Sequence, residues 1–170
     1  MTLPPGGTPR ATPVQIEIVV PARNEARRLP GGLTELCDKA AALPIPAAVL
    51  VVDSASTDAT SDVVRRWPAG PVPVRLLRCA RPGKGLAVRT GLLATRAPFV
   101  GFCDADMATD LSALDAVIDL LGAGHPLVVG SRGLGASVVE NRHSAIRRAG
   151  ARGASRRQGF HRPAGQRCPY

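Results

Sequence analysis

The run AAVLVVD, residues 47–53, limits the possible folds more than any other feature of this chain. A strand sends successive side chains to opposite faces, so an unbroken aliphatic stretch requires cover on both. That is the situation of a central strand in a parallel sheet flanked by helices, not of a sheet with one wet face. The aliphatic part, 47–52, is the longest such run present and is far too short to span a membrane.

The surrounding sequence alternates in period. QIEIVV (15–20) alternates polar and apolar residues and stops at Pro21, which predicts a strand. LTELCDKAAAL (33–43) has helical spacing, DATSDVVRRW (58–67) reads as a helix and VPVRLL (72–77) as a strand. KGLAVRTGLLAT (84–95) is helical although Gly91 weakens it, and PFVGFCD (98–104) is a strand. DLSALDAVIDLL (110–121) is a helix started by Thr109, and PLVVGSR (126–132) is a fifth strand. Strands alternating with helices in this way predict an α/β, Rossmann-like three-layer domain with a mostly parallel sheet.

Charge divides the chain differently. The formal net charge is +9, but residues 1–140 hold 14 Lys/Arg against all 13 Asp/Glu, while residues 141–170 hold 8 Arg and no acid. The basic excess therefore belongs to the tail, which lacks interleaved aromatics and a recognisable nucleic-acid module. Arg/Gly/Ala-rich residues 147–170 lose the apolar period and bury too little to offset ordering entropy. The expected organisation is a disordered segment 1–14, a domain 15–148 and a disordered basic tail 149–170. The Pro/Gly-rich start does not read as a signal peptide. Cysteines 37, 79, 103 and 168 form no CxxC pair, which fits a reducing cytoplasm rather than a zinc site or disulfide framework.

Open parallel sheets bind ligands beyond the carboxyl ends of their strands, and the polar residues here gather at those ends. PARNE (21–25) follows the first strand, DSASTD (53–58) the second, DADMATD (104–110) the fourth and GSR (130–132) the fifth. Ser56 and Asp58 read as helix caps. Asp53 is placed to accept hydrogen bonds from a base or to bind ribose. Asp104 and Asp106, two apart at a strand end, point the same way and can converge on one hard cation, Mg²⁺ or Mn²⁺, bridging a diphosphate. Taken alone, an Asp-x-Asp pair is as well explained by a solvated acidic loop. RPGKG (81–85) suits an anion or the turn itself, but it is no P-loop, and the absence of GxGxxG disfavours a dinucleotide fold. The histidines have no partner pattern.

Five stretches in this order, IVVPARNEARRL, VLVVDSASTDAT, RPGKGLAVRTGLLAT, FVGFCDADMATD and VVGSR, resemble the family 2 glycosyltransferases of the GT-A fold. More narrowly they are similar to the branch that makes polyprenyl-phosphate sugars, the dolichyl-phosphate glucose and mannose synthases. The resemblance implies that Pro21, Arg23 (where Tyr is more usual) and Glu25 line the nucleoside, and that Asp53 contacts the base. Ser54 and Ala55 stand where Asp-Gly is commoner. It implies that Asp104 and Asp106 are the catalytic metal and diphosphate residues, with Asp106 the direct ligand, and that Lys84 lies near the nucleotide. Arg132 and Arg142 match basic positions that approach the acceptor phosphate.

The implied activity is metal-dependent, inverting transfer of a hexose from UDP-glucose or GDP-mannose to a polyprenyl phosphate at the cytoplasmic membrane face. A phosphate monoester acceptor, with a second pKa of about 6, needs cations rather than a general base. The family's later acceptor-seating segment is expected after Arg148 and is not found there. The reading is an acceptor half missing through a reading-frame change, which leaves transfer by this chain in question. Nucleotide-sugar binding without transfer, or transfer to a glycan hydroxyl, are the competing readings.

Overall fold

The computed structural model describes residues 13–106 and 111–130. Contacts divide the chain into units 1–128 and 129–170, and all that follows concerns the first. Four strands, β1 (Ile16–Ala22), β2 (Ala47–Ser54), β3 (Val74–Cys79) and β4 (Phe99–Phe102), form one all-parallel sheet in the order β3-β2-β1-β4. Helix α1 (Leu29–Ala41) joins β1 to β2, α2 (Thr60–Arg65) joins β2 to β3, and α3 (Lys84–Ala94) joins β3 to β4. A short 3₁₀ turn, Leu111–Ala113, leads into α4 (Leu114–Gly122).

The continuous run becomes a central strand for the expected reason. Every residue of β2 is buried, with Val49 and Val51 facing one helix layer and Leu50 and Val52 the other. On the first face Ile16, Ile18 and Val20 of β1 meet Leu29, Leu33 and Leu36 of α1 and Ile118 of α4. The second face is smaller: Val19, Leu50 and Val52 are covered by Ala87 of α3. Gly91 explains its own presence there. A Cβ at 91 would collide with Val19 and stand 3.0 Å from Val52 Cγ2, so its helix cost is set against a close helix–sheet approach.

Pro21 extends β1 instead of ending it, pairing in register with Val52. Val19 accepts the Cys103 N–H at 3.1 Å, so odd-numbered residues of β1 turn their hydrogen-bonding groups toward β4. Pro21 lies one step past the last β1–β4 pair, Val19 with Phe102, where no donor is required. Glu17 on β1 is likewise not solvated. It is 4% exposed and accepts Arg75 Nη2 at 2.7 Å, so the polar position in the alternation is an ion pair rather than a wet face.

The expected fifth strand is corrected. Residues 126–130 form no strand, and Leu127 is 76% exposed, without the two-sided cover that β2 receives. Ser131 and Arg132, together with residues 1–12, 107–110 and the tail to 170, lie outside the described residues. Thr109 as helix start and both terminal segments fall there. Among the described residues no helix is long and apolar enough to cross a membrane.

Candidate functional site

The carboxyl ends of β1 and β2, the start of α3 and the segment after β4 enclose a cavity of about 260 Å³. Its walls are Pro21, Ala22, Arg23 and Glu25 from β1 and its loop, Ser54 from β2, Gly83 and Lys84 from α3, and Asp104, Ala105 and Asp106 after β4. Six of the seven expected donor-site residues within the described range, Pro21, Arg23, Glu25, Lys84, Asp104 and Asp106, thus share one space.

Asp53 is the exception. It is 1% exposed and is not among the lining residues; its carboxylate accepts the Ser56 N–H at 2.9 Å and the Ser61 hydroxyl. It points to the α2 side because β2 alternates, and Ser54, one residue on, takes the cavity side. Burial alone would raise the Asp53 pKa, but the Ser56 and Ser61 hydrogen bonds and the Arg78 charge together hold it below the ordinary carboxylate value. In this geometry Asp53 builds the loop beneath the cavity.

The floor is fastened by a clamp between two loops. Asn24 N–H donates to Ser56 Oγ at 3.0 Å, and Asn24 Oδ1 accepts the Thr57 N–H at 2.9 Å. The Glu25 N–H donates to Thr60 Oγ1 at 2.9 Å and the Ala26 N–H to Asp58 Oδ2 at 3.1 Å. Asp58 also accepts the Thr60 N–H at 2.9 Å and its hydroxyl. The hydroxyl bond from Thr60 is the largest influence lowering the Asp58 pKa. Asp58 and Ser56 were expected as simple caps; Asp58 does serve the first residue of α2, but both also tie the loop after β1 to the loop after β2. Asn24 and Ala55 reach φ 55 and 53 to do this, a left-handed conformation that Asn tolerates and Ala resists.

A second latch holds the start of α3. Ser54 Oγ, in a residue 2% exposed, accepts the Gly83 N–H at 2.8 Å. Gly83 sits at φ 151, ψ 118, where a side chain would be strained. Lys84 follows directly, and its Nζ lies 2.6 Å from Asp104 Oδ1. Sequence reading missed Asn24, Ser54 and Gly83 as builders of the site. The available signals were an Asn just past a strand, which suits positive φ, and a glycine just before a helix.

The donor set suits a divalent cation only in company. Among the described residues no group of three His, Cys, Asp or Glu could hold an ion. Asp104 and Asp106 supply two carboxylates to the cavity, leaving the remaining ligands to diphosphate oxygens and water, which is how Mg²⁺ is usually bound at phosphate sites. Cys103 beside them is pushed up to about 12, by burial first and then by the charges of Asp104 and Asp106. It packs against the core as a neutral thiol.

Known proteins agree with this geometry. The model of glycosyl transferase family 2 matches residues 17–168, running on past residue 148. An uncharacterized glycosyltransferase of Mycobacterium tuberculosis is 38% identical over 117 residues, which is 69% of this chain and 48% of that protein. Dolichyl-phosphate beta-glucosyltransferase of Drosophila melanogaster is 38% identical over 110 residues, 60% of this chain and 34% of the relative. The chain therefore spans about half, or less, of the length of these relatives. Among solved structures, a mannosyltransferase from Pyrobaculum calidifontis, in complex with GDP-Man and Mn²⁺, superposes with TM-score 0.56 at 28% identity over 68% of this chain and 34% of that one. The first 349 residues of S. aureus TarS superpose with TM-score 0.50 at 23% identity, covering 64% of this chain and 33% of the solved one, a likeness of fold. The four-stranded parallel sheet with its flanking helices is part of the GT-A fold. With most of its length matched by that family's model, this chain belongs to glycosyl transferase family 2.

Proposed function

We propose that this chain carries the donor site of a metal-dependent, inverting glycosyltransferase that moves a hexose from UDP-glucose or GDP-mannose to a polyprenyl phosphate. The observation that carries the reading is the shared cavity in which Asp104, Asp106 and Lys84 face Pro21, Arg23 and Glu25. Two carboxylates and a lysine at strand ends suit a diphosphate and its cation, and the walls from β1 suit the nucleoside. The relatives' names, a dolichyl-phosphate glucosyltransferase and a mannosyltransferase with GDP-Man and Mn²⁺, support the donor and acceptor classes.

Asp106 and Asp104 would hold the cation. Bound Mg²⁺ or Mn²⁺ supplies Lewis-acid neutralisation of the charge that grows on the leaving diphosphate. Lys84, anchored through Gly83, adds a second positive charge on a mobile stem. The Asn24–Thr57 clamp keeps the β1 wall from drifting, which preserves the donor's orientation. Asp53 acts here through the loop it supports. Arg132 and Arg142, outside the described residues, are assigned to the acceptor phosphate, which is already largely ionised and needs cations to position it. A polyprenyl acceptor places the reaction at the cytoplasmic membrane face.

A thermal-shift panel of UDP- and GDP-sugars with and without Mn²⁺, repeated on Asp106→Ala, tests the donor site. Stabilisation by one nucleotide-sugar that needs both Mn²⁺ and Asp106 is expected. No shift with any donor sinks the reading. Transfer of radiolabelled hexose to a polyprenyl phosphate then separates catalysis from binding without transfer, and a glycan acceptor in the same assay tests the hydroxyl alternative.

A further inference from the structure

We propose that Lys84 is a resident counter-cation of Asp104, so that a divalent ion gains the full aspartate pair only when a diphosphate draws Lys84 away. This rests on the donor-site reading above and adds an order to it.

Two observations point this way. First, Lys84 Nζ sits 2.6 Å from Asp104 Oδ1 inside the cavity that Asp106 also lines. An ammonium bound to that oxygen occupies the place of a metal–oxygen bond and repels an approaching cation. Second, Lys84 is the first residue of α3, an eleven-residue helix with no acid in its first turn. A lysine there adds positive charge to the positive end of the helix dipole, so an anion is needed. In the described structure the Asp104 carboxylate provides it.

The surroundings allow an exchange of partners. The Gly83 backbone is pinned by Ser54 Oγ at 2.8 Å, and its carbonyl accepts the Ala87 N–H at 2.9 Å. The root of Lys84 is thereby fixed while its side chain, 63% exposed, can swing. A diphosphate arriving at the start of α3 offers oxygens to both the helix end and the ammonium. Lys84 then moves from carboxylate to phosphate, and Asp104 is released to the cation. No covalent bond changes; two ion pairs trade partners. By linkage, diphosphate and cation must each tighten the other.

The test is Mn²⁺ binding followed by electron paramagnetic resonance, without and with GDP or UDP, on the full chain and its variants. Lys84→Met is expected to bind Mn²⁺ about three- to tenfold more tightly than the unaltered chain when no nucleotide is present, as loss of an adjacent positive charge allows. Its gain on adding nucleotide should be smaller. Lys84→Arg, which keeps the charge, should behave as the unaltered chain. Arg23→Met, which removes an equal charge from the same cavity away from Asp104, should shift nucleotide-free affinity less than Lys84→Met. Unchanged or weaker nucleotide-free binding by Lys84→Met overturns the inference, and so does an equal effect of Arg23→Met. Absence of Mn²⁺ binding in every variant, even with nucleotide, removes the metal reading and this inference together.

Discussion

Asn24 and Thr57 are 33 residues apart in the chain, yet Asn24 Oδ1 accepts the Thr57 N–H at 2.9 Å. That bond and its neighbours join the loops after the two central strands, so the wall and floor of the cavity move as one. Asn24→Ala should cost about 1–2 kcal/mol, because it removes bonds made by the side chain and places Ala at positive φ. Asn24→Gly should cost less, since it retains the backbone conformation. Urea melts of both variants check the order; equal losses would mean that the backbone conformation matters little here.

Ala55 offers the opposite opportunity. It holds φ 53 without a compensating side-chain bond in the described contacts, and glycine is at ease there. Ala55→Gly should stabilise the fold by about 0.5–1 kcal/mol, the relief of left-handed strain less the extra entropy of glycine in the unfolded chain. Thermal unfolding should shift upward by a few degrees. A lower midpoint would contradict the strain.

Gly91 permits α3 to approach β1 and β2 closely. Gly91→Ala should raise intrinsic helix propensity yet destabilise the protein by about 1–3 kcal/mol through overpacking against Val19 and Val52. Pairing it with Val19→Ala should recover part of the loss, a coupling measurable by a double-mutant cycle. Strict additivity would show that the contact is not tight.

Asp53 and Asp58 both have pKa values below the ordinary carboxylate value. A depressed folded pKa means that the unfolded chain takes up protons first as acid is added. The stabilisation is complete above about pH 4 and is lost as pH falls through the folded values. Denaturant midpoints measured from pH 6 to pH 2.5 should therefore drop below about pH 4, and the drop should be shallower in Asp53→Asn. An identical acid limb in that variant would show that Asp53 does not contribute to it.

The face of α3 and β4 is open, with Leu93 69%, Phe102 55% and Val100 40% exposed. β4 is also the sheet edge among the described residues, a setting that promotes pairing between chains. Leu93→Lys with Phe102→Thr should reduce self-association at micromolar concentration without lowering the melting temperature appreciably. Sedimentation velocity reads the first and a melt the second; unchanged association would place the sticky surface elsewhere.

The strand and helix order was legible from period because side-chain direction follows backbone geometry: AAVLVVD had to be central, and helices had to follow on both faces. The cavity's position was legible too, since polar residues after several parallel strands converge on one rim. Other features were invisible in one dimension. Asp53 turns inward while Ser54 faces the cavity, a single step of the pleat whose outcome depends on which helix layer covers which face. Residues 126–130 carry a strand's composition but have no covering layer, so composition alone misread them. Gly91 looked like a weakness until Val19 and Val52 were placed beneath it. Lys84 and Asp104 were each expected near the nucleotide, but their mutual ion pair exists only because β1 lies between β2 and β4 and draws the start of α3 to the end of β4. Local periodicity determines which segments form and which faces are apolar, because those follow from neighbours in sequence. Partners tens of residues away, and therefore the clamp, the latch and the paired charges of the site, are decided only when the sheet order brings the strand ends together.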